Sequence, residues 1–357
     1  MAKMKLLFLI SNLGAGGAQR SLMTIAEALY NYHDIEVHIA SWPTINDKYY
    51  VPKNVYFINL GQYNKYKNNK LNYFYAVYTI RKTIKKVHPN WVIATMSDMF
   101  MRTLLGKIGL NTQLMVWEHT SMGRKLHIES RIARNFFYRF ADKVLVLTNK
   151  DYALIDGKYK YVKVIPNPLS FPVYAGISQR RNVVVAMGRL DAWHVKGFDR
   201  LIEIWSEVVN DHPSWKLEII GGGCNQNVQH IKNMIMEHHL EDRVILVGYR
   251  NDVQNIFCHS KIFVLPSRVE GFPMCLIEAM SQGCACVSFS MQGAVKDIIE
   301  SGIDGYIIDD DNTREFACKL SFLMCHNKEM ERISNNAISR IERFSPERIA
   351  EMWMRLL

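Results

Sequence analysis

The chain has few cysteines and places all of them late. Cys224, Cys258, Cys275, Cys284, Cys286, Cys318 and Cys325 fall in the second half of 357 residues, with no Cys-x-x-Cys pair. An odd number without paired spacing excludes a disulfide framework and a cysteine-based zinc module. It reads as reduced cytosolic thiols, several of them acting as small hydrophobes. Long apolar runs are missing too: no segment approaches the roughly 18 uninterrupted apolar residues of a membrane span. In "MAKMKLLFLISNLGAGGAQR" the run Leu6–Ile10 is too short for a signal-peptide core, and no small-residue cleavage site follows. It reads as a first buried strand. Low-complexity tracts and short-period repeats are absent, and nothing resembles a helix-turn-helix or zinc module, which disfavours a nucleic-acid partner. The glycine-rich stretch lacks both GxGxxG spacing and a Walker lysine, which weakens NAD and ATP readings. No Asp-x-Asp triplet stands at a strand exit. Asp309–Asp311 follows a late strand and reads as a helix cap or surface run, so no metal site is expected.

Hydrophobic residues make up 48% of the chain, ordinary for a folded protein, and the length suggests two domains. The net charge of +10 is uneven. Residues 1–165 hold 24 Lys and Arg against 10 Asp and Glu, whereas the remainder holds 20 against 24. The basic half favours an anionic partner: membrane lipid, a phosphorylated substrate or nucleic acid.

Short Val, Ile and Leu-rich runs alternate with helical patterns. Strands are predicted at Lys5–Ser11, Ile35–Ala40, Val55–Ile58, Trp91–Thr95, Gln113–Glu118, Lys143–Leu147 and Val162–Ile165. A second series covers Asn182–Met187, Lys216–Ile220, Val244–Val247, Ile262–Leu265, Ala285–Ser288 and Gly305–Ile308. Continuous apolar strands separated by helices imply parallel sheets covered on both faces. Two series imply an α/β chain of two doubly wound domains, 1–166 and 171–345. The terminal helix, residues 346–357, is expected to pack back on the first domain. The break falls in "IPNPLSFPVYAGISQRR", residues 165–181, where three prolines and a glycine interrupt the periodicity.

Ligands in such folds bind beyond the carboxyl ends of the strands, so the exits are where chemistry is sought. The first exit, "SNLGAGGAQRS", offers Gly14, Gly16 and Gly17 for positive φ and close backbone approach, with Arg20 for charge. It suits a phosphate or sugar, or serves as a plain tight turn. At "WEHTS", Glu118 and His119 end a strand, and Glu118 is a candidate to hold the acceptor. The histidine can hydrogen-bond a sugar hydroxyl, shuttle a proton, or simply bond backbone. At "GRLDAWHVKGFD", Arg189 and Lys196 flank a helix opening at Gly197, an arrangement suited to a diphosphate unless both cations are merely solvated. At "SRVEGFPMCLIEAMSQG", Glu270 and Glu278 frame a Gly-Phe-Pro corner, and each carboxylate can accept two hydrogen bonds from vicinal hydroxyls.

Taken in order, "GAGGAQRS", "GRLDAWHVKGFD", "EGFPMCLIE" and "GCACVSF…GAVKDIIESGIDGYII" resemble a retaining glycosyltransferase family of GT-B architecture with an E-x7-E motif, which includes bacterial lipopolysaccharide and capsule sugar transferases. The resemblance spans nearly the whole chain. It implies two Rossmann-like domains facing across a cleft, and transfer of a hexose or N-acetylhexosamine from a nucleotide diphosphate sugar, UDP-linked by family frequency. Arg189 and Lys196 would hold the donor diphosphate. Glu270 would contact the donor sugar with backbone amides around Gly271 and Phe272, and Glu278 the ribose. His119 would lie near the reacting sugar face, Gly16 and Gly17 would admit diphosphate or acceptor, and Tyr249 would lie where the base stacks. The Arg189-to-Lys196 gap is longer than usual in the family, through "DAWHV". No metal and no further cofactor are implied, since the two cations supply the charge. The acceptor would be lipid-linked or a glycan, with the enzyme peripheral on the inner face of the cytoplasmic membrane. Mixed basic and aromatic stretches at 63–86 and 124–140 would meet anionic lipid. A phosphorylase or epimerase of the same architecture is the alternative enzyme reading, and a basic nucleic-acid-binding protein the alternative class.

Overall fold

The computed structural model describes residues 3–14, 16–44, 51–63, 65–125, 127–174 and 179–357. Ala15 of the glycine loop and the centre of the proline-containing linker lie outside these. The chain forms two units: Met1–Ser170 with Ser345–Leu357, and Phe171–Phe344.

Among the described residues thirteen strands form, largely where apolar runs occur. The first unit holds β1 (Met4–Leu9), β2 (Ile35–Ser41), β3 (Tyr56–Asn59), β4 (Trp91–Thr95), β5 (Gln113–Trp117), β6 (Lys143–Val146) and β7 (Val162–Val164). The second holds β8 (Arg181–Met187), β9 (Lys216–Ile220), β10 (Val244–Gly248), β11 (Ser260–Leu265), β12 (Ala285–Phe289) and β13 (Tyr306–Ile308). The helices between them are α1 (Gly17–Tyr30), α2 (Asn69–Val87), α3 (Ser97–Lys107), α4 (Ile128–Ile132) and α5 (Asn149–Ile155) in the first unit. The second unit has α6 (Trp193–Lys196), α7 (Phe198–Val208), α8 (Asn225–Glu237), α9 (Val253–Cys258), α10 (Met274–Ser281), α11 (Thr313–Cys325) and α12 (Asn327–Ile341). α13 (Pro346–Met354) returns to the first.

Both sheets are wholly parallel, with orders β3-β2-β1-β4-β5-β6-β7 and β10-β9-β8-β11-β12-β13. Helices cover both faces, so central strands are apolar throughout; Leu6–Ile10 and Val183–Ala186 are all buried. In each sheet the order reverses beside its first strand, between β1 and β4 and between β8 and β11. Such reversals open a crevice at the carboxyl edge.

Local signals explain the helix ends. Asn68 caps α2 by accepting from Lys70 and Leu71 N–H groups, and Ser345 caps α13 ahead of Pro346. α13 buries Ile349, Ala350 and Trp353, whose indole packs edge-on against Phe8 at 5.6 Å and Trp117 at 5.0 Å. Lys143 donates to the Leu356 carbonyl. All seven cysteines are free, and burial pushes the Cys284 thiol up to about 12.

Candidate functional site

The second unit gathers its chemistry at the β8–β11 reversal. After β8 come Gly188 and Arg189, a 3-10 turn over Leu190–Ala192, and the one-turn α6. The "DAWHV" insertion is wound into this double turn, which brings Lys196 round as the last residue of α6. Its stem lies on Gly188, where a Cβ would stand 2.9 Å from its Cγ and Cδ. Its Nζ reaches Glu270 Oε1 at 2.7 Å, and Ser267 Oγ donates to the same oxygen at 2.7 Å. Glu270 Oε2 takes no hydrogen bond among the described residues. Burial by itself would depress the Lys196 pKa, but Glu270, with Cys275 beside it, leaves it raised. The ammonium therefore stays charged across the neutral range. Arg189 is exposed, and its guanidinium makes no hydrogen bond or ion pair among the described residues.

A second arginine, Arg200 on α7, holds the β11 exit and is one the sequence reading missed. It donates through Nε to the Pro266 carbonyl and through Nη2 to the Ser267 carbonyl, both at 2.7 Å. Nη1 pairs with Asp311 at 3.0 Å, and the guanidinium lies 3.7 Å over the Phe289 ring. Burial, with Arg268 adding to it, lowers its pKa to about 10, so it remains a cation. Gly197 permits this contact. It stands at φ 70°, and a Cβ there would meet the Pro266 oxygen at 1.9 Å. Arg268 completes the staple, donating its N–H to Val195 O at 2.8 Å and Nη1 to Asp199 at 2.7 Å.

Of the two readings of the acidic run, the surface run holds, since Asp309, Asp310 and Asp311 are all exposed. The helix cap does not: Asn312, not an aspartate, caps α11. Asp310 instead accepts from the backbone N–H groups of Met291 and Gln292 at 2.6 and 2.8 Å, which stand at positive φ beyond β12. Asp311 is the partner of Arg200. Farther along, Glu278 is buried on α10, while the Phe272 ring turns away to pack on Phe344 at 5.6 Å. Phe272 therefore has only backbone to offer a ligand. Tyr249 is exposed in the loop after β10.

In the first unit, the glycine loop differs from expectation. Gly16 is extended and Gly17 opens α1, so neither stands at positive φ. The loop is shaped by Asn12, whose Oδ1 accepts from Gly14 N–H at 3.0 Å and from Gln19 Nε2 at 3.3 Å. Arg20 is half-buried on α1.

At the β5 exit the two candidates part. Glu118 is buried and committed internally: it accepts from Arg134 Nε at 3.2 Å, Tyr138 Oη at 2.7 Å and Thr120 N–H at 2.9 Å. The expected ligand role for Glu118 gives way to a strut, because Arg134 also binds the Thr120 and Ser121 carbonyls at 2.9 and 3.0 Å. His119 between them packs its ring on Trp117 at 4.2 Å. Both its ring nitrogens are buried with no partner among the described residues. Burial lowers its pKa to about 3. It is thus a neutral imidazole with one donor and one acceptor to offer, which favours hydroxyl binding over proton shuttling.

A sign follows for acid stability. In the unfolded chain this imidazole protonates near its ordinary 6.5, whereas folded His119 resists until about 3. The folded state then holds fewer protons in that window, so stability is full above it and falls as pH drops. His119→Asn is expected to flatten this slope in thermal unfolding measured across the window. An unchanged slope would mean that the folded ring protonates normally.

The sequence matches two family models, Glycosyltransferase Family 4 over residues 15–170 and Glycosyl transferases group 1 over residues 173–340. Together with the two parallel-sheet units, these define the class: the chain belongs to the GT-B glycosyltransferases. It is 27% identical over 99% of both chains to an uncharacterized glycosyltransferase of Haemophilus influenzae. It is also 27% identical over 99% of its length and 98% of the other's to a Campylobacter jejuni α-1,4-N-acetyl-D-galactosaminyltransferase, named for an undecaprenyl-diphosphate-linked glycan substrate. Other relatives are named for amylovoran and lipopolysaccharide synthesis. Anabaena HepE, solved with UDP and glucose, superposes with a TM-score of 0.81 over 99% of both chains at 18% identity.

Proposed function

We propose that the protein transfers a hexose or N-acetylhexosamine from a UDP-linked sugar, with retention, to a lipid-linked or glycan acceptor of a bacterial surface polysaccharide. The carrying observation is the Lys196–Glu270 pair at the β8–β11 reversal, with Arg189 unengaged beside it. Breaking the anomeric bond builds negative charge on the departing diphosphate. Lys196 and Arg189 meet that charge as it develops, doing the work a divalent ion does elsewhere. Oε2 of Glu270 accepts from a donor-sugar hydroxyl and Glu278 from the ribose. In the first unit, neutral His119 bonds a sugar hydroxyl. Tyr249 flanks the base. UDP and glucose in HepE, and the diphosphate-lipid-linked substrate in the Campylobacter enzyme's name, support the two substrate classes.

The test is thermal unfolding with UDP-, GDP-, ADP- and dTDP-sugars, each with and without a chelator. A ligand held at about 100 times its Kd stabilises by about 2.7 kcal/mol. UDP-sugars alone are expected to raise the melting temperature, unaffected by chelator, and Glu278→Ala is expected to lose most of that shift. A response confined to another nucleotide, or abolished by chelator, overturns the donor or the metal-free reading respectively.

A further inference from the structure

Among the described residues no hydrogen bond orients the His119 ring: both its nitrogens are buried without a partner. A working imidazole is ordinarily oriented by a bond on the nitrogen that its ligand does not use, and that bond also sets the tautomer. Here packing takes that part. Glu118 and Thr120 hold the backbone on either side, but a fixed backbone still leaves a side chain its rotamers. The ring itself lies against Trp117, with 4.2 Å between centroids and 55° between planes.

Trp117 is placed by contact in its turn. It ends β5, and its indole N–H is buried and unpartnered. The residue of β4 in register with it is Thr95, too short to back an indole. The backing comes from α13. Trp353 meets Trp117 edge-on at 5.0 Å and 81°, and Phe8 of β1 meets Trp117 at 6.3 Å. Trp353 also meets Phe8 at 5.6 Å, so the three rings close a triangle, and all three are wholly buried. The Trp353 N–H is unpartnered as well. Each buried N–H left unpaired costs stability, which a core serving packing alone avoids with phenylalanine or leucine.

Resting on the reading of His119 as a group that bonds a sugar hydroxyl, we propose that Trp353 is a positioning residue for it: through Trp117, the indole on α13 holds the His119 ring in the orientation that meets that hydroxyl. Trp353 touches no substrate. It acts by removing the alternative rotamers of Trp117 and, with them, those of the imidazole. The same packing keeps water off the ring. Burial alone depresses the His119 pKa, to about 3. The neighbouring Glu118 carboxylate is engaged by Arg134 and Tyr138. The titration of His119 therefore reports whether its ring is still packed, independently of turnover.

The test follows the His119 titration in the full chain by NMR with nitrogen-labelled histidine, the signal being assigned with His119→Asn. Trp353→Phe and Trp353→Leu are compared with the wild type, and kcat and KM are measured on a UDP-sugar. The wild-type ring is expected to stay neutral down to about pH 5 or below. Trp353→Phe should raise its pKa part of the way towards 6.5, and Trp353→Leu further. kcat should fall in the same order, by about tenfold or more for leucine, with the donor KM moving less, and an acid limb should enter the kcat profile as the imidazole protonates. If the leucine variant does not fold, phenylalanine against the wild type carries the test. A wild-type ring that titrates near 6.5, or a titration that neither substitution moves, overturns the positioning role and leaves the donor reading standing. A titration that moves with no loss of kcat also overturns it, since the ring's orientation would then not matter to turnover. A graded titration in a protein that no sugar nucleotide stabilises keeps Trp353 as the brace of His119 and overturns the transferase reading instead.

Discussion

Alanine at Lys196 is expected to lower kcat by about two to three orders of magnitude, the scale of removing one preorganised donor from a developing oxyanion. The substitution takes away a cation that Glu270 keeps charged and that the contact with Gly188 holds in place. It also leaves Glu270 Oε1 with Ser267 as its sole partner, freeing that carboxylate to swing from the position where Oε2 would accept a sugar hydroxyl. Arginine should not rescue. Its longer planar head cannot place a point charge 2.7 Å from Glu270 without lifting the stem off Gly188. Arg189→Ala should also lose turnover but leave Glu270 in place, so it separates the charge from the positioning. The measurement is initial rate on a donor chosen by thermal shift, with the melting temperature of each variant as a folding control. Full turnover by Lys196→Ala would remove it from the diphosphate site.

How much of this could be read beforehand differs by feature. The central strands were legible because both sheets are parallel and covered on both faces, so β1, β4, β8 and β11 show as largely apolar runs between helical patterns. The functional pair was half legible. Lys196 and Glu270 could each be placed at a strand exit, but they lie 74 residues apart. Their meeting depends on β8 lying beside β11, which strand identity does not reveal. The "DAWHV" insertion lengthens the gap from Arg189 to Lys196; wound into a 3-10 turn and α6, it brings the lysine to Glu270. Arg200 went unseen because a buried arginine looks like any surface cation in a sequence. The available signal was its place four residues before Ile204 and eight before Val208, on the apolar face of α7. The glycine loop misled in the other direction, since glycines there suggest positive φ whereas Gly16 is extended and Asn12 holds the Gly14 N–H and the Gln19 side chain.

Glu118 was misread for a physical reason, and its removal carries the second large effect. Glu118→Ala is expected to destabilise the first unit by about 3–5 kcal/mol, because Arg134 would remain buried with its countercharge gone. The side chains of the pair are 1% and 6% exposed, so water cannot take over. For a unit of this size that loss lowers the melting temperature by on the order of 10 °C. Replacing both partners by apolar residues, Glu118→Met with Arg134→Leu, should recover much of the stability, since neither charge then has to be desolvated. It should not recover turnover. Arg134 also grips the Thr120 and Ser121 carbonyls, and with Glu118 it clamps the loop on both sides of His119. A double variant that melts near the wild type yet turns over slowly would separate the two jobs of the pair. Recovery of stability and turnover together would reduce it to a packing feature, and His119 would then owe its position to Trp117 alone.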